Sequence, residues 1–128
     1  MKPEWEQAVR RGDVECLGRL LTGGADVDAR DRYGQTALMI AAQRGESSVV
    51  RFLLENGAAL DHTAKYGLSA VMLAVIVGHA DIVRALVEAG ADLNLRGTGA
   101  PGFAGKTALE LATARGQADM VAVLRGSS

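Results

Sequence analysis

Two histidines, one cysteine, a run of glycines and fifteen carboxylates are the residues of this 128-residue chain that first invite a chemical reading. His62 and His79 cannot be joined with a serine, cysteine or aspartate into a nucleophile–base set. Cys16 has no second thiol to pair with, and one thiol falls short of a metal site, which needs several ligands. The segment Gly97-Thr98-Gly99-Ala100-Pro101-Gly102 has the glycine density of a phosphate loop. Yet no Gly-Lys-Ser/Thr closes it and no strand-to-helix turn carries it, so no nucleotide site is assigned. The carboxylates are spread singly, with no pair placed to act as general acid and base. The expectation is therefore a non-enzyme with no catalytic residues, no metal and no cofactor.

Composition narrows the partners. Apolar residues make up 48% of the chain but aromatics only 4%, so a core must be built from small and branched side chains in close contact. A net charge of −1 argues against a globally basic nucleic-acid binder. No window has the apolar length of a membrane span or a secretory leader. The single cysteine suits a reducing compartment, so the expected location is intracellular, cytoplasmic or nuclear, and the expected state is a monomer.

The elements that position any site are set by a repeat. Gly12, Gly45 and Gly78 recur every 33 residues, as do Gly24, Gly57 and Gly90 and the alanines Ala25, Ala58 and Ala91 beside them. Gly34 and Gly67 keep the interval, but Gly105 follows Gly67 after 38, which places a five-residue insertion between Asn94 and Gly105. Within a unit, a Gly turn (Asp31-Arg32-Tyr33-Gly34) leads to Thr36, a residue suited to cap a helix N-terminus. Leu38, Ile40, Ala41 and Ala42 then read as a short helix ending near Gly45, and Val49, Val50, Phe52, Leu53 and Leu54 as a second one. Neither is long enough to be stable alone in water, so stacking on neighbours must supply the stability.

These segments resemble the ankyrin repeat over essentially the whole chain. The family's opening motif, Thr-Pro-Leu-His-x-Ala, has counterparts in Thr36–Ala41, Ser69–Ala74 and Thr107–Ala112. Its Gly-Ala-Asp-Val-Asn motif has counterparts in Gly24–Asp28 and Gly90–Asn94. The motif's proline and histidine are missing from every unit, which implies a less stable variant of the same fold. The resemblance implies an all-α ankyrin-repeat solenoid of about four units. Its helix–turn–helix pairs would be joined by extended β-hairpin-like fingers, in an L-shape with a concave face. The expected units are 1–30 as an N-terminal cap, 31–63, 64–96, and 97–128 as a C-terminal cap carrying the insertion. Cys16 is expected in the core, His79 in a structural position at an inter-helix turn, and His62 in solvent.

The resemblance also implies that partners bind to the finger tips and the outward side of the first helices. On this sequence those positions give Arg10, Arg11, Arg30, Arg32, Tyr33, Gln35, Gln43, Arg44, Lys65, Tyr66, Leu68, Ile76, Val77, Arg96, Phe103, Lys106 and Arg115, with Thr63, Ala104 and Ala114 beside them. Nine of these twenty are Lys or Arg and none is acidic. A face lined by one sign of charge attracts the other. Ile76-Val77 stands where other units carry Gln43-Arg44 and Ala114-Arg115, and an exposed apolar cluster there, with Tyr66 and Leu68, would anchor a partner unless the insertion covers it. The implied function is a protein–protein interaction module, an adaptor or scaffold holding an acidic or phosphorylated, partly apolar segment. The alternative is a stoichiometric inhibitor that occludes an enzyme's cleft. Nucleic acid and membrane are not expected partners.

Overall fold

A computed structural model describes residues 1–99 and 102–126. Part of the glycine-rich run, Ala100 and Pro101, lies outside the described residues. Among the described residues eight α-helices follow one another in pairs: α1 (Pro3–Arg11) with α2 (Val14–Thr22), α3 (Ala37–Arg44) with α4 (Ser47–Glu55), α5 (Ala70–Val77) with α6 (Ala80–Glu88), and α7 (Ala108–Ala114) with α8 (Ala118–Leu124). The first helices α1, α3, α5 and α7 contact one another in sequence to form one layer, and α2, α4, α6 and α8 form the second.

Each helix is short because its ends are written into the sequence. Thr36, Ser69 and Thr107 cap α3, α5 and α7, each hydroxyl accepting the backbone N–H three residues on. The residues standing where the family has histidine complete the cap in two units. Glu110 accepts from the Thr107 N–H at 3.1 Å, and the Met72 sulfur takes the Ser69 N–H at 3.5 Å. At the other end of α3, Gly45 adopts φ +73°, and an added Cβ would lie 2.6 Å from the His79 ring of the next unit. The close approach requires glycine there, and it gives His79 its place as a packing group at the start of α6.

Helix α5 is apolar on every side, as expected of an element enclosed by α3, α6 and α7. The core runs without a break from Trp5 and Ala8 in the first pair to Leu111 and Leu124 in the last. Cys16, expected inside it, is only half-buried and packs against its edge. In the second layer α2 packs on α4, α4 on α6 and α6 on α8.

One hydrogen bond recurs at the base of the second, third and fourth fingers: Asp31 N–H to Gln35 O, Ala64 N–H to Leu68 O, and Gly97 N–H to Lys106 O, at 2.9–3.0 Å. Carboxylates stitch each finger to the next, Asp28 accepting the Ala59 N–H and Asp61 the Asp92 N–H, both at 2.8 Å. The second layer has its own stitch, Ser47 Oγ donating to Asp81 Oδ2 at 2.6 Å.

Two stability predictions follow from these contacts. Ala37 is the first residue of α3 and Thr36 before it is extended, the geometry that proline favours. Ala37→Pro should therefore raise stability by up to about 1 kcal/mol in urea unfolding; a lower midpoint would mean the buried site cannot admit the ring. Asp81 is held below the ordinary carboxylate range chiefly by the Ser47 hydroxyl, helped by the Ile82 N–H and opposed by partial desolvation. A depressed carboxylate stabilises the fold above its unfolded pKa, and the gain is lost as pH falls through the folded value. The melting-temperature gap between wild type and Asp81→Asn should thus shrink as pH drops through the carboxylate range. A gap constant with pH would remove this role.

Candidate partner-binding face

The finger tips of the second and third units repeat one small device. Arg32 places its guanidinium 5.4 Å from the centre of the Tyr33 ring, and 33 residues on, Lys65 places its ammonium 5.0 Å from that of Tyr66. Tyr33 is 65% exposed and Tyr66 37%. Tyr66 has φ +63°, the one non-glycine residue among those described with a left-handed backbone. That conformation costs roughly 1–2 kcal/mol and persists only where its surroundings impose it. Here the insertion imposes it: Thr98 donates to the Tyr66 carbonyl at 2.6 Å, and the Phe103 ring packs on Tyr66 at 5.7 Å between centroids.

Below these tips lies a hollow of about 200 Å³, lined by Gln35 and Gln43 from the second unit and by Ala64, Lys65, Tyr66, Leu68 and Leu73 from the third. Gln35 Nε2 donates to Gln43 Oε1 at 3.4 Å. The site thus gathers Gln35, Gln43, Lys65 and Tyr66 as the sequence positions suggest.

Other expected members are placed differently. Leu68 was expected on the surface, but it is 6% exposed and belongs to the core, forming part of the hollow's apolar lining. It leaves the finger directly into the cap of α5, where its side chain turns inward. Ile76 is half-buried against the core, and its carbonyl accepts from Arg115 at 3.1 Å; Phe103 is likewise half-buried. Of the apolar pair only Val77, 44% exposed, stands in solvent.

The cations also divide. Arg30, expected to face a partner, is occupied by its own fold: Nη1 donates to Gly34 O and Thr63 O, and Nη2 meets His62 Nδ1 at 2.7 Å. His62, expected free in solvent, is therefore a finger contact. Arg96 repeats the arrangement on Gly105 O and adds Glu110 at 3.1 Å. Arg10 pairs with Glu6, Arg11 lies 4.0 Å from Asp13, and Arg115 caps α5. Four of the nine, Arg32, Arg44, Lys65 and Lys106, have no hydrogen-bond or ion-pair partner among the described residues. The cations left over are Arg32 and Lys65 at the second and third finger tips, Lys106 at the fourth finger, and Arg44 at the C-terminal end of α3.

Changing Ile76 and Val77 to Gln and Arg, the second unit's pair, should accordingly split into two effects. Val77→Arg should leave stability within about 0.5 kcal/mol. Ile76→Gln should lose roughly 1 kcal/mol of apolar burial. Equal losses from both in thermal unfolding would mean that Val77 is covered.

Among the described residues no three His, Cys, Asp or Glu side chains converge as a metal site, and no helix is long and apolar enough to cross a membrane. The model of a family described as ankyrin repeats (three copies) matches residues 5–97. A mitochondrial disaggregase of Bos taurus is 56% identical over 36 residues, which is 28% of this chain and 5% of that protein.

Proposed function

The chain belongs to the ankyrin-repeat family, and on that premise we propose that it is a non-catalytic adaptor. Its finger side, the concave face of the stack, holds a segment of another protein that is acidic or phosphorylated and partly apolar. The observation that supports this best is the placing of Arg32 and Lys65 beside the exposed rings of Tyr33 and Tyr66, with Arg44 at the end of α3, all three cations without a hydrogen-bond or ion-pair partner among the described residues. Cations already satisfied by carboxylates would gain little from an acidic ligand, whereas these three keep their full hydrogen-bonding capacity. The rings supply apolar area at low entropic cost, as binding anchors do. The strained backbone at Tyr66 agrees with a tip held in place for contact. The likeness to the disaggregase spans little more than one repeat, so that protein's activity is not carried over.

Salt-dependent retention on the immobilised chain tests the reading. A peptide of glutamate, leucine and proline should be held to higher salt than a DNA duplex, because binding to the duplex backbone is electrostatic and falls steeply with salt, while the peptide adds apolar contacts that salt does not screen. Stronger retention of DNA would overturn it.

A further inference from the structure

Resting on that reading of the finger side, we propose that the partner segment lies along the stack as a polyproline-II strand, with an acidic residue at every third position and proline or an apolar residue between. The first argument is one of period. The Arg32–Tyr33 and Lys65–Tyr66 pairs occupy the same place in consecutive units, and the helices beneath them, α3 and α5, pack directly on each other. Packed helices lie about 8–10 Å apart. A polyproline-II strand has three residues per turn at about 3.1 Å each, so it returns the same side after about 9.3 Å. A β-strand returns it after roughly 6.6 Å and an α-helix turn after about 5.4 Å, neither of which matches one repeat step.

The second argument concerns the backbone. A polyproline-II strand makes no hydrogen bonds within itself, so its N–H and C=O groups need outside partners. Gln35 and Gln43 supply them between the two pairs. Their mutual bond uses one amide hydrogen of Gln35 and the oxygen of Gln43, leaving the Gln35 oxygen and the Gln43 amide free to pair. The third is the fit of side chains. The hollow draws its lining from both units and is apolar where Leu68 and Leu73 meet, so it receives a residue between two acidic ones. Tyr33 and Tyr66 offer rings on which proline packs, as in other aromatic-lined grooves that take such strands. The acidic residues then meet Arg32 on one side and Lys65 on the other.

Two labelled peptides of identical composition test this by fluorescence anisotropy with the whole chain: Glu-Pro-Leu repeated four times, and the same twelve residues with the four glutamates moved to positions 1, 3, 5 and 7. The every-third peptide should bind about tenfold tighter, and the double variant Arg32→Glu, Lys65→Glu should bind both weakly and alike. Equal binding to wild type, lost in the variant, would discard the spacing while leaving the finger side as the binding face. Equal binding kept by the variant would discard the face as well, and so would no binding of either peptide.

Discussion

Replacing Arg32, Arg44 and Lys65 together by glutamate is expected to weaken binding of an acidic partner segment about thirtyfold or more, roughly 2 kcal/mol. The loss should fall mostly on the association rate, because unpaired charges on one face act by drawing the partner in. The salt dependence of affinity should flatten with it, since screening then has less attraction to remove. The fold should scarcely notice. None of the three side chains has a hydrogen-bond or ion-pair partner among the described residues, and all three are exposed. The contrast with Arg30 sharpens the expectation. Arg30→Glu would sever contacts to Gly34, Thr63 and His62, so it should lower stability as well as binding. Surface plasmon resonance at two salt concentrations, with thermal unfolding of both variants, separates the cases. Unchanged affinity in the triple variant would return its cations to a solubility role.

Tyr33→Ala should have an effect of similar size through different physics. The ring is 65% exposed and lies under the Arg32 guanidinium, so its removal should cost the fold little beyond the roughly 0.5–1 kcal/mol of an exposed cation–π contact. As a binding anchor, however, a tyrosine of this kind is worth about 2 kcal/mol or more, again about thirtyfold. Tyr33→Phe keeps the ring and should retain most of the affinity. Tyr66 is a poorer probe, because its ring packs on Phe103 and its carbonyl holds Thr98. Wild-type affinity in Tyr33→Ala, measured by calorimetry, would remove the aromatic contribution.

Much of the architecture was legible because it is periodic. Thr36, Ser69 and Thr107 announce the start of α3, α5 and α7 by residue type and spacing, and the five-residue shift of Gly105 locates the insertion. The site was legible only in outline. Which cations remain unpaired depends on where each finger turns its carbonyls: Arg30 and Arg96 find Gly34 O and Gly105 O, while Thr63, at the equivalent position between them, has no guanidinium to do so. Leu68 was misplaced because a finger of a few residues has too little alternation to show which side chain turns inward. The left-handed Tyr66 had no signal of its own, since its conformation is imposed by the insertion, 32 residues further along at Thr98. The capping role of Glu110 was readable from Thr107 three residues earlier, a capping-box spacing hidden by its place in the repeat motif.

Amide NMR mapping of the native chain with the Glu-Pro-Leu peptide tests the finger side most directly as the binding face. The largest shifts should cluster at 32–35, 43–44 and 65–68, with α2, α4, α6 and α8 silent. Shifts centred on those second-layer helices, or spread evenly over the chain, would contradict it.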